Sequence, residues 1–128
     1  MIILTTHEVL QIHEKLVIAT GGATGVRNAG LLDSAIMGCY QSFDGIMLYP
    51  TIEEKAARIA FTICKNHPFV DGNKRVAVTA MLVMLRLNKV FISFTQQELI
   101  VLGLGLADGS IGYNEVLLWI RSHQTDYI

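Results

Sequence analysis

Residues 66–78 read NHPFVDGNKRVAV, and they decide the fold. The residue before a proline avoids the helical region, so the polar, helix-patterned run ahead of Pro68 must stop near Asn66. The run beyond the loop is the reverse in character. Residues 76–85, VAVTAMLVML, hold one hydroxyl and no charge. A helix that is apolar on nearly every side belongs at the centre of a protein. The stretch therefore predicts two helices joined by a short loop. The second runs from about Asn73 to about Asn88, buried.

The flanking sequence repeats the helical theme. Thr5-x-x-Glu8, Thr51-x-x-Glu54 and Thr95-x-x-Glu98 are capping boxes, each ahead of an apolar pattern of helical period. In the first, Val9, Ile12, His13 and Leu16 share the spacing, and Gly21-Gly22 stops it. A glycine-rich loop then leads to LLDSAIMGCYQSF, a second helix with Leu31, Leu32, Ala35, Ile36 and Cys39 apolar. Residues 44–50, DGIMLYP, open on a turn dipeptide and read as a short extended segment or a flap. The third helix sets Ile52, Ala56, Ile59, Ala60 and Ile63 on one face. VFISF is a brief extended stretch, Asp108-Gly109 ends the fifth helix, and YNEVLLWIRSH is a last amphipathic one with Val116, Leu117 and Ile120 inward. The expectation is all-α: one domain over 1–128, a bundle of about six helices.

Composition agrees. In 128 residues, 52% are hydrophobic and 16% charged, which excludes disorder. The net charge of −1, with no basic cluster, argues against a nucleic-acid binder. Cys39 and Cys64 fit no zinc or redox spacing and read as buried thiols. The apolar start is too short for a signal peptide, and residues 76–85 are too short for a bilayer. A soluble cytoplasmic chain, with no direct nucleic-acid or membrane partner, is expected.

The loop carries the chemistry. The first backbone N–H groups of the central helix, near Gly72–Arg75, form an anion site with the helix dipole. Gly72 lets a ligand approach, and Lys74 and Arg75 add positive charge. Two cations at a helix N-terminus are unfavourable without an anion. Asp71, beside phosphates, suits Mg²⁺. His67 carries an imidazole that can take a proton from a hydroxyl. Together these describe phosphoryl-type transfer to a hydroxyl. The plain alternative is that His67 and Asp71 cap their helices while Lys74 and Arg75 face water.

HPFVDGNKR resembles the signature of the Fic/Doc family, His-x-Phe-x-Asp/Asn-Gly/Ala-Asn-x-Arg, and Lys74 matches its Doc (death-on-curing) branch. GLLDSAI after a glycine-rich loop is similar to Doc as well. The resemblance implies His67 as general base, Phe69 as a buried anchor and Asp71 as the Mg²⁺ ligand. It implies that Gly72, Asn73, Lys74 and Arg75 hold the phosphates of ATP, with His67, Asp71, Lys74 and Arg75 as the catalytic set. A flap near residues 44–50 would align a target peptide. The implied protein is a toxin of a type II toxin–antitoxin pair that phosphorylates a Ser/Thr hydroxyl, notably on elongation factor Tu. Its small antitoxin would bind through a C-terminal segment. AMP transfer by the same loop is the alternative, and a non-catalytic antitoxin- or repressor-binding module the second. Lys74 and Val78 stand where AMP-transferring relatives commonly carry Gly and Arg. No Ser or Thr is followed four residues later by Glu, so the family's self-inhibitory helix has no match here.

The remaining residues read quietly. His7 and His13 lie six apart, on no shared face, and read as surface or groove residues rather than metal ligands. His123 suits a helix C-terminus. Trp119 and Tyr113 read as packing residues, and Met37, Met81 and Met84 as core fillers. Arg27 and Asn28 read as part of a plain turn, within possible reach of a nucleotide or an antitoxin.

Overall fold

A computed structural model describes residues 1–126. Six helices account for most of them: α1 Thr6–Thr20, α2 Ala29–Met37, α3 Ile52–Asn66, α4 Asn73–Leu87, α5 Gln96–Asp108 and α6 Tyr113–Ser122. The three capping boxes form as the sequence predicts. In α1 the Thr5 hydroxyl accepts the Glu8 N–H at 3.1 Å, and the Glu8 carboxylate accepts the Thr5 N–H at 2.9 Å. Thr51/Glu54 and Thr95/Glu98 repeat this at α3 and α5. Asn28 caps α2 through the Leu31 N–H, 3.0 Å.

The central helix is α4, packed against α1, α3 and α5. Its Val76, Ala77, Ala80, Met81, Met84 and Leu85 are buried. On α3, Ala56, Ala57 and Ala60 are also fully buried. Both cysteines are buried and unpaired, as expected. No helix among the described residues is long and apolar enough to cross a membrane.

Two small antiparallel hairpins complete the chain. β1 Ser42–Phe43 pairs with β2 Ile46–Met47, and β3 Phe91–Ile92 pairs with β4 Gln124–Thr125. Asp44 and Gly45, the turn dipeptide of the sequence, both have positive φ and form the tip of the first hairpin. The strand before the turn gives no sequence signal of its own. Lys55 of α3 is buried beneath this hairpin. Its ammonium donates to the carbonyls of Cys39, at 3.2 Å, and Tyr49, one on each side of the hairpin.

Two expectations need correction. Met37 is 61% exposed, because α2 tightens into a 3-10 turn at Gly38–Tyr40 and its last residue turns outward. His13 is not a surface residue: it is 4% exposed, on the inward stripe of α1 between Val9 and Val17.

Candidate functional site

The residues singled out in the loop line one cleft of about 360 Å³, bounded by Cys64, His67, Val70, Asp71, Gly72, Asn73, Lys74, Arg75 and Ala107. Its shape comes from two left-handed residues. His67 ends α3 at φ 48, and Gly72 precedes α4 at φ 77. Between them Phe69 is 1% exposed and anchors the loop in the core.

Asn73 closes the loop from inside. Its Oδ1 accepts the Phe69 N–H at 3.0 Å, and its Nδ2 donates to the Phe69 carbonyl at 3.0 Å. The same nitrogen stands 3.4 Å from Nδ1 of His67. What Asn73 offers the cleft is therefore its backbone N–H. The N–H groups of Asn73, Lys74 and Arg75 have no backbone acceptor among the described residues, and no side chain caps this helix. That contrasts with the side-chain caps of α1, α2, α3 and α5. The Gly72 N–H is already used by Oδ1 of Asp71, 2.8 Å.

The glycine-rich loop straps this site from the α1 side. Val26 and Phe69 form an antiparallel bridge, and the Val70 N–H bonds the Gly25 carbonyl at 3.1 Å. Asp71 Oδ2 accepts the Ala23 N–H at 3.1 Å. That bond, then the Gly72 N–H, then the charges of Arg75 and His13, lower the Asp71 pKa below the usual carboxylate value. Arg75 lies 3.9 Å from the Asp71 carboxylate and donates to the Gly21 carbonyl at 2.9 Å and to the Thr20 hydroxyl. Arg27 donates to the carbonyls of His67, at 2.6 Å, and Asn66, at 2.7 Å, closing the end of α3. Reading Arg27 as part of a plain turn misses this, because its partners lie some forty residues away in the chain.

Lys74 has a different setting. It is exposed, and its aliphatic stem lies over Gly103 of α5, where a methyl group would stand 3.2 Å from Cγ and 3.9 Å from Val78. The glycine pattern of α5 is thus a packing surface. A second cleft of about 310 Å³ shares Cys64, His67 and Ala107 with the first and continues to Phe61, Lys65 and Ile111.

Asp71 is the acid available to a metal here. Its two oxygens each accept one N–H and keep further lone pairs, and its side chain is 49% exposed. No group of three His, Cys, Asp or Glu gathers among the described residues. A site of one carboxylate beside phosphates fits Mg²⁺, which keeps waters and takes substrate oxygens.

The sequence comparisons point the same way. The Fic/DOC family model matches residues 3–85. Over 73 residues the chain is 41% identical to Toxin Doc of Mycolicibacterium smegmatis, covering 57% of this chain and 56% of that protein. Over 118 residues it is 29% identical to Protein kinase doc of Escherichia phage P1, covering 92% of each. With the loop, its buried phenylalanine and all but the last two residues of the central helix inside the matched region, the chain belongs to the Fic/DOC family, in its Doc branch.

Proposed function

We propose that this protein is a Doc-type toxin that transfers the terminal phosphate of Mg-ATP to a Ser/Thr hydroxyl of a protein, with elongation factor Tu as the first candidate target. The observation that carries the reading is the uncapped N-terminus of α4. Its free N–H groups open into a cleft that also holds His67, Asp71, Lys74 and Arg75. The names of the two relatives, a toxin and a protein kinase, support it.

In this reading the N–H groups of Asn73, Lys74 and Arg75 receive phosphate oxygens, with the helix dipole behind them. Lys74 and Arg75 neutralise charge from the sides. Mg²⁺, held by Asp71, would screen the phosphates from one another. His67 takes the proton of the attacking hydroxyl. Its Nε2 has no partner among the described residues, so it is the open nitrogen. To accept a proton there, the neutral ring must carry its hydrogen on Nδ1, so it turns away from the 3.4 Å contact with Asn73. The β1–β2 hairpin, with its exposed edge, serves to pair with an extended target segment. A small antitoxin, folding its C-terminal segment onto the toxin, supplies restraint.

The test is ATP labelled separately at the α and γ positions, incubated with elongation factor Tu and with cell lysate. Label is expected from the γ position only, reduced in Lys74→Gly. Label from the α position only overturns phosphotransfer in favour of AMP transfer. No label from either, with nucleotide-independent binding of a short partner, indicates a binding module.

A further inference from the structure

We propose that His13 is a positioning residue of this site, holding the peptide between Asp71 and Gly72 so that the metal-binding carboxylate and the start of α4 keep their orientation. The consequence for catalysis rests on the function proposed above. The positional claim does not.

The observation begins with burial. His13 sits on an inward stripe whose neighbours are Val9 and Val17. A leucine there would bury more apolar area with no polar group to satisfy. The imidazole is satisfied in one specific way: Nε2 lies 2.7 Å from the carbonyl oxygen of Asp71. A carbonyl only accepts, so Nε2 carries the hydrogen. The ring also stacks on Phe69, with centroids 3.9 Å apart and planes 11° apart. Its edge lies under Gly72, where a methyl group would stand 3.5 Å from Nε2. One side chain from α1 thus touches the loop's anchor, the carbonyl of its acid and the glycine that starts α4.

The geometry of one peptide plane gives these contacts a purpose. The peptide joining Asp71 to Gly72 has its oxygen on His13 and its N–H on Asp71 Oδ1, 2.8 Å away. Rotating that plane would release Oδ1 and move Gly72 off φ 77. The carboxylate and the direction of the free N–H groups would change together. His13 is the side chain that holds the oxygen end. It acts through Asp71 and Gly72 and does not itself line the 360 Å³ cleft.

Two variants separate this role from core packing. His13→Phe keeps a ring against Phe69 and lacks the donor. His13→Gln keeps an amide donor and lacks the ring. Expected for His13→Phe is a Tm close to the parent, faster amide exchange at Gly72 and Val76, whose N–H groups are held by Asp71 Oδ1 and the Gly72 carbonyl, and kcat down about 10–100-fold with KM for the protein acceptor unchanged. His13→Gln should restore the exchange pattern and most of kcat even with a lower Tm. Activity that follows Tm in both variants, or parent-like exchange and kcat in His13→Phe, overturns the proposal. If His13→Phe fails to fold, His13→Gln decides: parent-like exchange supports the role and fast exchange refutes it. A parent with no transferase activity sinks the proposed function, and the exchange measurement alone then decides the positioning claim.

Discussion

Gly21 and Gly22 stand side by side at φ 84 and 111, yet their alanine variants should behave differently. Both would place a Cβ where L residues are strained, at about 1–3 kcal/mol, offset by about 0.4–1 kcal/mol from the stiffer unfolded chain. A net loss of about 1–2 kcal/mol lowers Tm by roughly 3–10 °C in a domain of this size. The surroundings differ. Nothing lies within 4 Å of a Cβ at Gly21. At Gly22 a Cβ would meet Asp71 Oδ2 at 2.7 Å and Arg75 Nη2 at 2.9 Å. Both atoms must retreat to at least the 3.4 Å of ordinary contact. They are the far ends of flexible side chains, so the retreat costs little stability beyond the exposed Ala23–Asp71 hydrogen bond. It does move the acid and a cation of the cleft by a sizeable fraction of an ångström. Misplacement on the order of 1 Å costs about 10²-fold in rate. The expectation is similar Tm for Gly21→Ala and Gly22→Ala, with kcat at least tenfold lower in the second. Calorimetry and initial rates of phosphate transfer at saturating Mg-ATP, both at a temperature where each variant is folded, make the comparison. Equal rates in the two variants would refute the reasoning, and with it the idea that the glycine-rich strap sets Asp71 and Arg75.

His67→Ala should fold normally and lose about 10²–10⁴ in transfer rate, and a folded variant with unchanged rate removes His67 as base. Asn73→Ala should destabilise by about 2–4 kcal/mol in chemical unfolding, because it strands the buried N–H and carbonyl of Phe69. Glu98 and His123 meet at 2.7 Å. The His123 hydrogen bond, ahead of Thr95, draws the Glu98 pKa from an ordinary 4.5 down to about 2, while Glu98, ahead of the Trp119 carbonyl, raises that of His123 above 6.5. The depressed carboxylate loses its contribution as pH falls from 4.5 towards 2. The raised imidazole loses its contribution as pH climbs past 6.5 and through its folded value. The pair therefore helps most between about pH 4.5 and 6.5. The Tm gap between parent and Glu98→Gln should be widest in that window, and a gap independent of pH would contradict the pairing.

Much of the architecture was legible because its signals are local. Three threonines with glutamates three residues on announced three helix starts, and Pro68 announced the end of α3. The uniform apolarity of residues 76–85 placed α4 at the centre. The candidate site was legible as a set of residue types within one loop. Its internal wiring was not. Whether Asn73 faces a ligand or the core depends on where the Phe69 backbone lies after folding. Arg27 finds its acceptors, and Ala23 its carboxylate, only once the strap is laid against the loop. His13 did carry a signal: it lies four residues from both Val9 and Val17, on their stripe. Pairing it with His7 as a surface or groove residue passed over that signal.

Lys55 has a consequence for recognition that concerns entropy. A buried ammonium that gathers the carbonyls of Cys39 and Tyr49 pins both feet of the hairpin to α3. The conformational freedom of that connection is surrendered when the protein folds and not when it meets another chain. A strand laid along the hairpin's edge then bears the ordering of its own backbone alone, about 1–2 kcal/mol per residue. A hinged, unpinned arm would have to be ordered in the same step. In the proposed pairing with a target segment, the buried lysine would shift an entropic cost from binding to folding, so that even a very short edge, Ser42–Phe43 and Ile46–Met47, would suffice as a template.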